Sequence, residues 1–232
     1  MHSIAAILLA AGLSSRMGPQ NKLLLDVEGE PLVRRVARAY LSVLDGPLTV
    51  VTGFEAEQVR TVLNDLPVHF AHNAAFAGGQ PGSVATGLKH APEAELLAVG
   101  LGDQPLLTPY DLTKLIAAQR AGDSKKITIP VHAGQRGNPI IVPRALRHRL
   151  TENPARPGCM RFTRDHPEHV QAAELDARGF YADVGYARRL REAVRTRQRG
   201  RSMTRTHLWL RRLLHKLKMT PEQADNIRFP CC

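Results

Sequence analysis

Residues 3–25 read SIAAILLAAGLSSRMGPQNKLLL, and they set the frame for everything that follows in the chain. The apolar run over residues 4–11 does not alternate with polar side chains, which is the pattern of a strand buried on both faces of a parallel sheet, and it stops at Gly12. Residues 12–18 are small or polar and carry one fixed positive charge, Arg16; Lys22 follows as a second cation. Backbone amides turned toward an anion, a bidentate guanidinium and a point-charge ammonium at the carboxyl end of a central strand are what a triphosphate requires. The ordinary alternative is a structural strand-turn, and neither GxxxxGK[ST] nor GxGxxG is present. A signal peptide is the other reading of the apolar run, but only Met1, His2 and Ser3 precede it and no basic segment does, so export is not expected.

The 232 residues suit one α/β domain with a sizeable core. Their formal net charge of +11 resembles that of a nucleic-acid binder until it is divided along the chain. Residues 185–232 hold 13 of the 32 Lys and Arg against 3 Asp and Glu, leaving 19 basic and 18 acidic residues in 1–184. The globular part is therefore nearly neutral, which argues against a polyanion binder. Cys159, Cys231 and Cys232 are too few and too unevenly spaced for a disulfide framework, and no CxxC or HExxH offers a zinc site, so a reducing cytoplasm is expected. No apolar stretch approaches the ~18 residues of a membrane span.

Alternation of element types continues after the first loop. Residues 31–44 place Leu32, Val33, Val36, Ala37, Tyr40, Leu41 and Leu44 opposite Arg34, Arg35 and Arg38, an amphipathic helix opened by proline. Residues 47–52 (PLTVVT) predict a strand, 55–66 a helix and 68–71 a strand. Such βαβαβ order implies a parallel sheet with ligands at the carboxyl ends of its strands. In NAAFAGGQPGSVATG, residues 73–87, a loop enters a helix with Pro81 and Ser83 near its start; Gln80 and Ser83 bring enough donors and acceptors to read the edge of a pyrimidine, although an ordinary capped helix fits too. Residues 96–101 predict another buried strand, ending in Gly102-Asp103-Gln104-Pro105. Asp103 is placed either to hold a divalent metal over the phosphates or to cap the helix expected over 109–121. A strand follows at 127–131, then Arg136-Gly137-Asn138-Pro139; Asn138 either bonds a ligand or begins a strand. The cationic stretch RPGCMRFTRD, 156–165, reads better as a solvated helix face than as a phosphate contact, and residues 181–184 as a last short strand.

Taken together, AAGLSSRMGPQNK, GGQPGS, LGDQP and RGNP, in that order over residues 3–184, resemble the molybdenum cofactor nucleotidyltransferases, and the GQxxS form resembles the base-reading loop of their cytidylyltransferase branch. The resemblance implies a three-layer α/β/α Rossmann-like nucleotidyltransferase domain with a mostly parallel sheet. It also implies CMP transfer from CTP to the phosphate of molybdopterin, with GTP or another acceptor such as a sugar phosphate as the alternative. Cofactor delivery to a molybdenum hydroxylase apoenzyme is the non-enzymatic reading. Carried over residue by residue, Ala10, Ala11, Gly12, Leu13, Ser14, Ser15, Arg16, Lys22, Gln80, Ser83 and Gly102 would bind the nucleotide. Asp103 would bind Mg2+ or Mn2+, with Arg16, Lys22 and Asp103 catalytic and Asn138 on the acceptor side. The family continues its last strand as D-[IV]-D-T-P-E-D; this chain has Asp183, Val184, Gly185 and Tyr186 there, so Asp183 is the remaining candidate for a second metal ligand. From Tyr186 the composition turns basic, and residues 206–218 (THLWLRRLLHKLK) set Leu210, Leu213, Leu214 and Leu217 on one helical stripe. A nucleotidyltransferase domain over 1–199 and a basic, partly helical C-terminal extension over 200–232 are the expected divisions.

Overall fold

The computed structural model describes residues 3–13, 21–152 and 158–182. Ile4–Ala10 forms β1, and the hairpin of β2 (Asp26–Val27) and β3 (Glu30–Pro31) follows. Its two-residue turn, Glu28-Gly29, has both φ angles positive (58° and 93°), the geometry that matches strand twist in a tight hairpin. The remaining elements are α1 (Leu32–Leu41), β4 (Leu48–Thr52), α2 (Ala56–Thr61), β5 (Val68–His72), α3 (Gln80–Lys89), β6 (Leu96–Leu101), α4 (Pro109–Ala121), β7 (Ile127–His132), β8 (Gln135–Arg136), β9 (Ile140–Pro143), α5 (Cys159–Asp165) and β10 (Val170–Glu174).

The main sheet runs β10-β7-β9-β6-β1-β4-β5, with β8 paired to β7. β1 lies parallel to both β4 and β6, and β5 is parallel to β4; β9 runs antiparallel between β6 and β7. Every residue of β1 is buried, as the unbroken apolar run requires. Its even positions, Ile4, Ala6, Leu8 and Ala10, pack with α1, α2 and α4, while Ala5, Ile7, Leu9 and Ala11 pack with α3 and α5. Three layers result, in the Rossmann-like arrangement expected. Among the described residues no helix is long and apolar enough to cross a membrane.

Three boundaries differ from those read in the sequence, the first being the helix expected over 31–44, which is α1 and ends at Leu41. The helix expected over 55–66 is only α2, because Leu63, Asn64 and Leu66 bond three residues back in successive turns instead of continuing the helix. Tyr181 and Ala182 are not a strand: both amides bond the Arg178 carbonyl, and the edge position is taken by β10, parallel to β7. Residues 183–184 lie outside the described residues, as do the C-terminal extension and the proposed boundary at 199.

Candidate active site

Parallel pairing brings four chain turns to one edge of the sheet. Leu9 pairs with Leu101, Ala10 with Thr52 and Thr52 with His72, so the chain leaves β1 at Ala11, β4 at Gly53, β5 at Asn73 and β6 at Gly102 on a common rim. The rim is stitched by backbone bonds: Gly102 N–H donates to Leu9 O (2.9 Å), Phe54 N–H to Ala11 O (3.3 Å) and Asn73 N–H to Thr52 O (2.8 Å). Glycine is required at one of these exits and relieves crowding at another. A Cβ on Gly53 would sit 2.8 Å from Ala11 O, and one on Gly102 would sit 3.2 Å from Leu9 O and 3.3 Å from Leu23 Cδ2.

Lys22 and Asp103 meet on this rim as an ion pair between the ammonium and Oδ2. Asn21 presents the lysine. Its side-chain oxygen accepts from Leu23 N–H (3.0 Å) at the start of the turn Lys22–Leu24, and its amide reaches Phe54 O (3.5 Å). Asp103 is 9 % exposed and does not cap α4; that task belongs to Thr108, whose hydroxyl accepts from Asp111 N–H (3.2 Å) in a reciprocal capping box. The capping alternative for Asp103 is thereby removed. Among the described residues no group of three His, Cys, Asp or Glu side chains could enclose a metal ion, but Mg2+ needs no such cage: one or two carboxylates and the phosphate oxygens of a substrate suffice. A carboxylate on the rim whose Oδ1 has no bond among the described residues fits that requirement.

Of the loop expected to cradle phosphates, Ala10 and Ala11 are buried at the strand end, while Gly12 and Leu13 are exposed and a Cβ on Gly12 would meet nothing within 4 Å. Ser14, Ser15 and Arg16 lie outside the described residues, and so does Asp183.

At the other end of the rim, Gln80 is the exposed first residue of α3 and Pro81 lies in its first turn. Ser83 is not a helix cap: Gly79 holds that position, and the Ser83 hydroxyl, 5 % exposed, accepts from Asn73 Nδ2 (3.1 Å). α3 lies close on the sheet because Gly87 has no side chain; a Cβ there would be 2.8 Å from Ile7 Cδ1. From β6 to β5 the rim crosses three strand spacings, about 14 Å at ~4.8 Å each, room for one nucleotide lying across the sheet.

On the β9 side, Asn138 precedes a cis peptide to Pro139 and is followed by β9, so it does stand at a strand start. Its backbone is held on both sides: its N–H donates to Phe180 O (2.9 Å) and its carbonyl accepts from Gln104 Nε2 (2.9 Å). The same Gln104 amide donates to Gly179 O (3.0 Å) and Phe180 O (3.2 Å), tying the residue after Asp103 to the Asn138 turn. Arg136 Nη2 donates to Thr163 Oγ1 (2.6 Å); burial, and then the neighbouring Arg164, pull its guanidinium below the ordinary range. Arg161 pairs with Asp165 (2.9 Å) and Arg164 is exposed, a solvated helix face as read from the sequence. Asn21, Asn73 and Gln104 escaped the sequence reading. An Asn directly before the lysine, and another directly after an apolar strand, are the signals that mark the first two.

The MobA-like NTP transferase domain family matches residues 6–171. A probable molybdenum cofactor guanylyltransferase of Natronomonas pharaonis is 32 % identical over 139 residues, covering 58 % of this chain and 68 % of that protein. A 2-C-methyl-D-erythritol 4-phosphate cytidylyltransferase of Pelotomaculum thermopropionicum is 34 % identical over 138 residues, 56 % of this chain and 58 % of the relative. Among solved structures, a nucleotidyl transferase from Methanothermobacter superposes with a TM-score of 0.67 at 22 % identity, over 82 % of this chain and 95 % of its own. Rv0371c of Mycobacterium tuberculosis in complex with manganese superposes with a TM-score of 0.58 at 20 % identity, over 75 % and 88 %. At these identities the two structures speak to the fold alone.

Proposed function

The chain belongs to the MobA-like NTP transferase domain family and is a nucleotidyltransferase, and from that premise we propose that it moves CMP from CTP to the phosphate of molybdopterin, releasing pyrophosphate. The observation that carries the proposal is the meeting of Lys22 and Asp103 on the rim formed by the carboxyl ends of β1 and β6, with Arg16 six positions before Lys22 in the sequence.

The reaction asks for alignment more than for proton transfer. The acceptor phosphate is anionic at neutral pH, so an oxygen of that phosphate attacks the α-phosphorus of CTP without a general base while the bond to the pyrophosphate oxygen breaks on the opposite side. In this proposal the amides of residues 12–15 and the Arg16 guanidinium hold the β- and γ-phosphates. Lys22 faces the α-phosphate and the incoming oxygen, lowering the repulsion between two anions. A divalent cation, Mg2+ with Mn2+ as the alternative, supplies further charge neutralisation when bound, and Asp103 is the residue that would hold it; the manganese complex of Rv0371c supports the choice of cation class. Asn138 borders the acceptor, and a reducing cytoplasm is the proposed compartment.

Gln80 and Ser83 support cytosine as the base, through hydrogen bonds to one edge. The Natronomonas relative favours a second reading in which GMP is transferred. A thermal-shift panel of CTP, GTP, UTP and ATP with and without Mg2+, followed by pyrophosphate release with molybdopterin, separates them. The expected result is the largest stabilisation by CTP with metal and release dependent on molybdopterin. Equal shifts by all four nucleotides, or release only with a sugar phosphate, would overturn the proposal.

A further inference from the structure

The Asn73 side chain stands between two partners that fix its orientation. Its Oδ1 accepts from the backbone N–H of Ala75 (3.1 Å), a local turn that only an oxygen can complete. The other end is therefore the NH2 group, and it points to Ser83 Oγ at 3.1 Å. Both residues are buried, at 5 % exposure each, and the Asn73 backbone is anchored to Thr52 O (2.8 Å). An amide nitrogen only donates, so the serine oxygen must accept. Its own hydrogen has to point elsewhere, and among the described residues the Ser83 hydroxyl donates to none.

We infer that Asn73 is a positioning residue that sets the polarity of the Ser83 hydroxyl, making it a donor toward the bound base and so favouring a base edge that presents acceptors. This rests on the reading that Ser83 faces the base. Cytosine offers adjacent acceptors at N3 and O2, whereas guanine presents donors at N1 and N2 on the corresponding edge. A serine free to rotate would serve either equally; one whose oxygen already accepts from an amide keeps a single lone pair and turns its hydrogen away from that amide, which favours the first. Discrimination of this kind is large because a mismatched donor leaves a buried polar group unpaired.

The test measures CTP and GTP affinities of the full chain by titration calorimetry, with thermal melts alongside, for the wild type, Ser83→Ala, Asn73→Asp and Asn73→Ala. In Asn73→Asp, one carboxylate oxygen keeps the Ala75 bond and the other accepts the serine hydrogen, turning the hydroxyl's lone pairs toward the base. Its CTP-to-GTP affinity ratio is expected to fall about ten- to a hundredfold and below that of Ser83→Ala. Asn73→Ala, which lets the hydroxyl turn freely, should give an intermediate ratio, and it decides the matter should the aspartate variant melt too early to measure. If Ser83→Ala changes the ratio while both Asn73 variants retain the wild-type value, the inference is overturned and base reading by Ser83 survives. If Ser83→Ala leaves the ratio untouched, base reading itself fails and this inference goes with it.

Discussion

Lys22 and Asp103 are 81 positions apart in the chain, and their side chains form an ion pair because β1 and β6 are parallel neighbours whose carboxyl ends coincide. Neither side chain is fully enclosed, at 30 % and 13 % exposure, so the pair is a weak source of stability and a strong source of geometry. With no triphosphate bound, each group neutralises the other on the rim. A bound triphosphate and its cation would draw the lysine toward phosphate oxygens and release the carboxylate for metal.

Turnover should accordingly be far more sensitive to these residues than folding. Lys22→Ala and Asp103→Ala are each expected to lower kcat about a hundredfold or more, the usual loss when a charge-stabilising group is deleted, with melting temperatures close to the wild type. Steady-state pyrophosphate release across an Mg2+ titration checks this. An Asp103→Ala enzyme that kept nearly full activity at unchanged Mg2+ would remove the metal assignment.

Gly100 sits in β6 under the ring of Tyr40 from α1, and a Cβ built on it would lie 1.8 Å from Oη and 2.7 Å from Cζ. Gly100→Ala should therefore destabilise the fold by about 1–3 kcal/mol through overpacking. At ~2–4 °C per kcal/mol for a domain of this size, the melting temperature should fall measurably. The Tyr40 hydroxyl is buried without a partner, so Tyr40→Phe alone should be neutral or stabilising by up to about 1 kcal/mol. Adding it to Gly100→Ala should recover only part of the loss, since the ring carbon still crowds the new methyl. Full recovery would mean that the hydroxyl was the sole obstacle.

What the sequence disclosed follows the range of the forces involved. β1 and β6 were legible because strands buried on both faces are unbroken apolar runs, and α4 because Pro109 marks its start; the Thr108-to-Asp111 box that caps it came only from the structure. The meeting of Lys22 with Asp103 was legible through motif order and the rule that ligands gather at strand carboxyl ends. β2 and β3 were not, being two residues each around a Glu-Gly turn. β10 was missed as a sheet member, and β9 was read only as a strand that Asn138 could begin, because their pairing partners are set by tertiary position: β9 lies between β6 and β7, and β10 takes the edge. Asn73 and Gln104 are ordinary polar residues in sequence; their roles come from Ser83, ten positions on, and from carbonyls 34 to 76 positions away.

Asp65 gives the fold a pH dependence. Arg34 grips its carboxylate with two nitrogens, one at 2.8 Å, and that hydrogen bonding holds its carboxyl down to about 2 against an ordinary 3.8. A carboxyl depressed in the folded state adds stability above its unfolded value and loses it as pH falls through the folded one, so the window is pH 4 to 2. The melting-temperature gap between wild type and Asp65→Asn should be present at pH 6, close between pH 4 and pH 2, and shrink in 1 M salt because the pair is exposed. A gap independent of pH would show that the pair contributes nothing.

Gln104 offers the last test, because one side chain holds three loops. Its NH2 group donates to the carbonyls of Asn138, Gly179 and Phe180, and the residue is 3 % exposed, so the carbonyls have little water to turn to. Gln104→Met keeps the length and removes the donors. It should cost about 1–3 kcal/mol, a loss of several degrees in melting temperature. Gln104→Glu should cost more, since a carboxylate would face three carbonyl oxygens with no proton to share. Because the amide joins the Asp103 loop to the Asn138 turn and its hydrogen bonds among the described residues reach neither α3 nor the Asn73 loop, nucleotide binding should change little in Gln104→Met. The KM for the acceptor should rise while the affinity for CTP stays near the wild-type value, a split that titration calorimetry and steady-state kinetics measure side by side. Equal losses in both would mean that the three bonds support the whole rim and not the acceptor side of it.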